Sequence, residues 1–354
     1  MSINYLDPNS LVISFAIVIF LFVSAIFYWE KLLIKINWLK KYKKIQRIHE
    51  GEVPRLGGVI IYIGIFFYWL INEKIASYYI DILLISIFPL FLICIKEDIF
   101  HNTSAKVRLI IIFFSIFLFL YLGSPQLPIV PFIDFAFENN KFYILEFIFF
   151  CFCVVIITNG NNLIDGANGL MPMSVIAQFL SLFFLADKYS DYEFIYLLIF
   201  FGSFLVIFLF FNFPMGRIFL GDFGAYFYGF IISTLTISLF GKYPEISPWN
   251  AVLILFYPSF ELLFSFTRKL LNGKNPMEAD NNHLHSRIFQ LLKKLKQNNF
   301  ISQNLITPCM IMIWGMPTLL LVIFHENSVM VILNIILMIS FYSLIYYKVS
   351  KRLN

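Results

Sequence analysis

Charge is scarce in this sequence. Only 13% of its 354 residues are Asp, Glu, Lys or Arg, about half the share usual in a soluble protein. Cysteine is scarce as well. Cys94, Cys151, Cys153 and Cys309 form no Cys-x-x-Cys pair and lie in or beside apolar runs, which excludes a disulfide-stapled secreted domain and reads as small buried hydrophobes. Gly/Ser-rich and Pro-rich linkers are missing, and no 20–50-residue repeat is visible. What the chain has instead is apolar bulk: 60% hydrophobic residues, 45 Phe, 19 Tyr and a mean hydropathy of +0.82. One soluble core cannot hide that many rings. An ordinary soluble enzyme and a disordered chain are therefore excluded, and lipid is the outer solvent.

A helical span needs about 20 apolar residues. Eleven stretches qualify or nearly so: 9–29, 56–71, 80–95, 109–123, 142–158, 169–186, 194–211, 224–240, 248–266, 305–325 and 328–347. Runs such as ISFAIVIFLFVSAIFYW are continuous rather than alternating, which favours helices over a membrane β-barrel. The first stretch exceeds a signal-peptide core, follows no basic residue and meets no small-residue cleavage site. The expectation is an all-α polytopic membrane protein of about eleven spans, a single domain over 1–354.

Basic residues orient it. With the N-terminus outside, 22 of the 26 Lys and Arg fall on the inner side, and only Lys74, Lys141, Lys188 and Lys242 lie outside, as the positive-inside bias requires. The net charge of +5 thus belongs to a membrane face, where anionic lipid is a simpler partner than nucleic acid. The longest polar regions are the loop after the first span and the 267–304 loop. Within the latter, Ile288, Leu291, Leu292 and Leu295 recur at helical spacing against Lys293, Lys294 and Lys296. That pattern suits either a short interfacial helix or a solvated basic loop.

Four inner loops also carry acids, amides or imidazoles at span ends. KEDIFHNTSAKVRL holds Glu97, Asp98, His101, Lys106 and Arg108; TNGNNLIDGANGL holds Asn159, Asn162, Asp165 and Asn168. FNFPMGRIFLGDFGAYFYG holds Asn212, Arg217 and Asp222; NPMEADNNHLHSR holds Asp280, His283, His285 and Arg287. Singly, each has an ordinary alternative. Asp98 can sit among headgroups, Asp222 can cap a helix, and Gly160, Gly166 and Gly169 can be plain turn residues. His283 and His285 share a face only on extended chain, and no companion completes a zinc site. Together, oxygen-only acids, glycine turns and basic residues suit Mg²⁺ or Mn²⁺ holding a diphosphate. An ion-coupled transporter would place charges near the midplane, yet apart from Asp81 at the very start of one stretch only Glu146 and Glu261 lie inside spans. A transporter of a nucleotide-sugar or lipid-linked phosphate is the weaker alternative.

These motifs, in this order from about residue 9 to about 300, resemble the polyprenyl-phosphate N-acetylhexosamine-1-phosphate transferases, relatives of phospho-N-acetylmuramoyl-pentapeptide transferase. PRLGG at 54–58 is similar to the family's early Pro-Arg-x-Gly-Gly loop, and Glu97-Asp98 to its acidic pair before Lys-x-Arg-Leu, here Lys106 to Leu109. Asn159 to Leu170 resembles Asn-x-x-Asn-x-x-Asp-Gly-x-Asp/Asn-Gly-Leu. Asn212 with Phe219 to Gly224 resembles the Asn followed by Phe-x-Gly-Asp-x-Gly. Asp280, His283 and His285 match the histidine loop.

The resemblance implies transfer of N-acetylhexosamine 1-phosphate from a UDP-sugar to undecaprenyl phosphate, with release of UMP. The enzyme would be a Mg²⁺- or Mn²⁺-dependent one of the bacterial inner membrane, starting a surface glycan such as O-antigen. It implies catalytic roles for Asp98, Asp165 and Asp222, with Asp222 and Asp98 at the metal. It implies substrate binding by Glu97, Lys106, Asn162, Asn168, Asn212, Asp280, His283, His285 and Arg287. Partners would be undecaprenyl phosphate, the UDP-N-acetylhexosamine and membrane lipid; a homodimer is left open, and no nucleic acid is expected. The sequence departs from the family at Glu97, in place of the first Asp, and at His101, in place of a third acid. Further departures are Asn168 where others have Asp, Ala225 in place of a small hydroxyl residue, and Ser286 in place of a third histidine.

Overall fold

The computed structural model describes residues 7–35, 53–72, 78–100, 103–130, 143–276, 278, 280–295 and 298–353. Among them every regular element is helical. Helices α1 (Pro8–Lys35), α2 (Gly57–Ile71), α3 (Tyr78–Phe100) and α4 (Ala105–Gly123) lead to α5 (Tyr143–Ile164), α6 (Leu170–Lys188), α7 (Tyr192–Asn212) and α8 (Gly221–Lys242). Then come α9 (Pro248–Ile254), α10 (Phe256–Leu271), α11 (Leu284–Lys294), α12 (Asn299–Cys309), α13 (Ile311–Trp314), α14 (Met316–Phe324) and α15 (Ser328–Leu353).

Nine of the described segments are long and apolar enough to cross a membrane, ten if a bent pair counts as one. The expected eleven are thus not all full spans, and backbone chemistry explains the difference. α2 has 15 residues, about 22 Å of helix against about 30 Å of hydrocarbon. The expected span 248–266 breaks at Leu255 into α9 and α10, bent by 74°. Pro258 has no N–H to give the carbonyl of Ile254 and its ring would clash there. The span expected at 305–325 is retained within an apolar segment, Asn299–Phe324, long enough to cross, although Pro308, Gly315 and Pro317 divide it into α12, α13 and α14. Elsewhere a helix runs further than hydropathy shows. α5 continues through Asn159 and Asn162, because Asn159 and Asn161 turn their amides back to the carbonyls of Val155 and Ile157 at 2.7 and 3.0 Å.

One helix sits at the centre. In α8, 94% of the apolar window lies inside the protein, against 22% in α1 and 28% in α15. α2, α3, α5, α6 and α9 pack around it, and its Phe223, Phe227, Tyr228 and Phe230 are fully buried. Peripheral helices instead turn Phe20, Phe27, Ile144 and Phe210 outward, as helices solvated by lipid do. The 283–295 region is helical: α11 buries Leu284 and Ile288 against α12 and α15 and leaves Leu295 exposed. Cys94 and Cys151 are buried thiols as expected, whereas Cys309 is exposed.

At one end of the bundle the loop before α2 is knitted to the loop before α8. Phe219 N–H donates to Pro54 O at 2.8 Å, Gly57 N–H to Phe219 O at 2.9 Å and Gly58 N–H to Leu220 O at 2.8 Å. The backbones come so close that a Cβ on Gly58 would overlap the Cα of Gly224, the small-residue contact by which membrane helices approach. Gly58→Ala is therefore expected to lower the thermal midpoint in detergent by several degrees, consistent with overpacking costs of about 1–3 kcal/mol. Gly202→Ala, whose Cβ meets only ordinary contact with Phe179, should leave it nearly unchanged. Equal losses in both would contradict this packing.

Candidate functional site

The knitted loops deliver charge to one place. Arg55 follows Pro54, and Asp222 sits in the first turn of α8. Ser104 caps α4 by accepting from Val107 N–H at 3.3 Å, so that Arg108 projects from the first turn. Its Nη1 lies 3.3 Å from the Asp222 carboxylate, both side chains about one-fifth exposed. Glu97, near the end of α3, accepts from Thr103 N–H at 2.8 Å and stands in electrostatic reach of Arg108. Lys106 is exposed beside them. Asp98 is in the same last turn of α3, but its side chain lies outside the described residues, as does His101.

Asp165 closes the cluster. It follows α5 directly, one turn beyond the half-buried Asn162, and its N–H donates to Asn161 O at 3.2 Å. Burial pushes its carboxyl up to about 7, with Arg55 pulling it down and Asp222 pushing it up. Asp165, Asp222, Arg55 and Arg108 thus form one coupled group of two acids and two bases from four segments. Arg55 and Arg108 are not distinguished as site residues by the sequence alone: they lie inside the Pro-Arg-x-Gly-Gly and Lys-x-Arg-Leu motifs, and only the fold shows which acids they face.

Two of the expected substrate-binding amides make bonds within the protein. Asn212 accepts from Gly169 N–H at 2.7 Å through Oδ1 and donates to Ile218 O at 2.9 Å through Nδ2. It ties the Asp165 loop to the loop before α8. Asn168 is buried and its side-chain Nδ2 donates to Pro214 O at 3.2 Å and Asn304 Oδ1 at 3.0 Å; its main-chain carbonyl accepts from Thr307 Oγ1 at 2.6 Å, and its side-chain Oδ1 has no partner among the described residues. Asn212 thus has both side-chain polar atoms engaged within the protein, whereas Asn168 keeps one unpaired among these residues.

The histidine loop packs onto the same turn. His283 precedes α11 with extended backbone, φ −70° and ψ 153°, so the two rings share a face: they stack with centroids 5.7 Å apart and planes within 2°. His285 lies over Gly166, where a Cβ would overlap its Nε2. Burial and the neighbouring His283 push His285 down to about 4, with Glu261 opposing, so near neutral pH it offers hydrogen bonds rather than charge. His283 directs Nδ1 to Glu261 at 3.1 Å and Nε2 to Asp280 at 3.6 Å. Burial opposes ionisation of Asp280, but the Arg268 fork at 2.8 and 3.2 Å holds its carboxyl down at about 2. Arg287 donates to Asn282 at 3.2 Å and lies over the Tyr346 ring.

Among the described residues no group of three or more His, Cys, Asp or Glu side chains forms a ready metal cage. The donors still suit Mg²⁺, which keeps waters and needs only one or two carboxylates besides its phosphates. Two coupled acids, one of them destabilised as an anion, leave a cation something to neutralise.

Residues 80–240 match the model of glycosyl transferase family 4. The chain is similar to a probable undecaprenyl-phosphate N-acetylglucosaminyl 1-phosphate transferase of Bacillus subtilis, 29% identical over 252 residues, 69% of this chain and 67% of the relative. It is similar to undecaprenyl-phosphate alpha-N-acetylglucosaminyl 1-phosphate transferases of Thermotoga maritima, 28% identical over 71% of this chain and 73% of the relative, and of Escherichia coli K12, 26% identical over 77% and 75%.

The raised Asp165 carboxyl makes a prediction for the metal-free protein. An acid whose folded value is raised destabilises the fold once ionised: the penalty is absent below its ordinary value of 3.8, grows to about 7 and is complete above. In chelator, Asp165→Asn should raise the thermal midpoint at pH 8 by roughly a few degrees, and the gain should vanish near pH 4. A gain that does not depend on pH would show that the carboxyl is not strained.

Proposed function

We propose that this chain, a member of glycosyl transferase family 4, transfers N-acetylhexosamine 1-phosphate, N-acetylglucosamine 1-phosphate first among the candidates, from a UDP-sugar to undecaprenyl phosphate and releases UMP. The observation that carries this reading is the convergence of Asp165 and Asp222 with Arg55 and Arg108 at the end of a lipid-facing bundle. A polyprenyl phosphate is anchored in lipid and a UDP-sugar is soluble, so the two can meet only at such an end. The names and extent of the relatives support the same reaction. The skew of 22 basic residues to one side supports placing this end at the cytoplasmic face of a bacterial inner membrane with the N-terminus outside.

In this reaction an acceptor phosphate oxygen attacks the sugar-bearing phosphorus of the donor. The new P–O bond forms as the bond to the bridging oxygen breaks, and UMP leaves with that electron pair. Arg55 and Arg108 neutralise charge spread over the transferring group. Asp165 and Asn162 belong to the turn where the diphosphate is oriented, Lys106 adds positive charge from the start of α4, and neutral His285 supplies hydrogen bonds from the loop above. Asp222, with Asp165 near it in the fold, would hold Mg²⁺, and Asp98 is the further acid that the motif offers. That ion would supply positive charge at the diphosphate and shield one phosphate from the other. The acceptor is already an oxyanion near neutral pH and needs positioning more than deprotonation.

Purified protein in lipid nanodiscs, given UDP-N-acetylglucosamine, should release UMP only with undecaprenyl phosphate and Mg²⁺ present. Chelation should abolish release, and Asp222→Ala should reduce it at least about a hundredfold. A panel of UDP-N-acetylhexosamines, 6-deoxy sugars included, ranks the donors. UMP release without lipid phosphate, or full activity in Asp222→Ala, would refute the assignment.

A further inference from the structure

We infer that Glu261 of α10 and Tyr342 of α15 are positioning residues for the histidine loop, holding His283 so that His285 is seated over the Asp165 turn. Glu261 is an acid within an otherwise apolar stretch and is 1% exposed. A carboxylate is costly to bury unless its oxygens are satisfied, and here they are. Oε1 accepts from His283 Nδ1 at 3.1 Å and faces Leu284 N–H at 3.4 Å; Oε2 accepts from Tyr342 OH at 2.6 Å. His283 and Tyr342 are themselves buried.

The partners lie far apart in sequence, 22 residues from Glu261 to His283 and 81 to Tyr342. The bonds therefore join three separate segments. One carboxylate fixes which nitrogen of His283 faces inward, and so the angle of its ring. The parallel His283–His285 stack passes that angle on, and His285 rests on Gly166, next to Asp165. α15 reinforces the loop at a second point, where Tyr346 OH donates to Asn282 O at 3.1 Å beneath the Arg287 guanidinium. The last helix, beyond the stretch that carries the family motifs, is thereby part of the site's support. The catalytic consequence rests on the proposed transferase reaction; the positioning itself does not.

Tyr342→Phe deletes one O–H···O bond and keeps the ring against Phe260 and Phe264. In the substrate-free full chain, ¹⁵N NMR of the histidine side chains should show the His283 signals displaced and those of His325, at the other end of the bundle, unmoved. Transferase kcat/KM should fall about tenfold, as when an outer support of a site residue is removed. In a His283→Gln background the same substitution should change kcat/KM by less than about twofold, because its route is already cut. Glu261→Gln, of the same shape without the charge, should repeat the pattern. Unmoved His283 signals, or equal losses in both backgrounds, would overturn the inference. If the native protein releases no UMP, the proposed reaction fails while the nitrogen signals still decide the positioning role.

Discussion

The site depends on one seam: the backbone contact between residues 54–58 and 219–224. Three N–H···O bonds close it, and the meeting of Gly58 with Gly224 allows it. In lipid a backbone group without a partner has no water to turn to, so these loops cannot simply lie side by side. Joined, they bring the segments that carry Arg55 and Asp222 together, and they fix the start of the buried helix α8. Arg108 and Asp165 then meet a target already in place. The seam is built from backbone and hydrogen-sized side chains, and it is correspondingly intolerant of change.

Around it, charge is matched locally. Asp222 has Arg108, Asp280 has the Arg268 fork, and Glu261 has His283 and Tyr342. At the opposite end Asp191 has Lys242 at 2.6 Å and Tyr243 at 3.0 Å. In a low-dielectric interior an unmatched ion is expensive, which is why these buried ions sit beside partners. Asp165 departs from this pattern: its carboxyl is held up near 7. A carboxyl perturbed by burial beside another acid is the mark of a functional-site candidate.

Much of the fold is readable from sequence because hydropathy is a local property. Each apolar run reports its own solvent, and ten of the expected stretches lie in helices that span singly or as the bent pair. Breaks were harder to read. Pro258 interrupts a run whose hydropathy barely changes, and 56–71 looks like a span until its length is set by where α2 begins. The motif loops were legible as a group. Their division of labour was not: the fold spends both polar atoms of the Asn212 side chain on Gly169 and Ile218, while Asn168 gives its Nδ2 to Pro214 and Asn304 and keeps its Oδ1 unpaired among the described residues.

By itself, then, the sequence determined the solvent, the helical class, the skew of basic residues and the identity of the acids gathered near span ends. Tertiary structure alone decided which charges face one another. Arg108 is 114 residues from Asp222, and Tyr342 is 81 from Glu261. Such pairings depend on distances of a few ångströms set by helix packing, to which a local pattern of apolar residues is blind. Glu261 shows the difference most plainly: in sequence it is a stray acid within a span, and in the fold it is the hinge pin of the histidine loop.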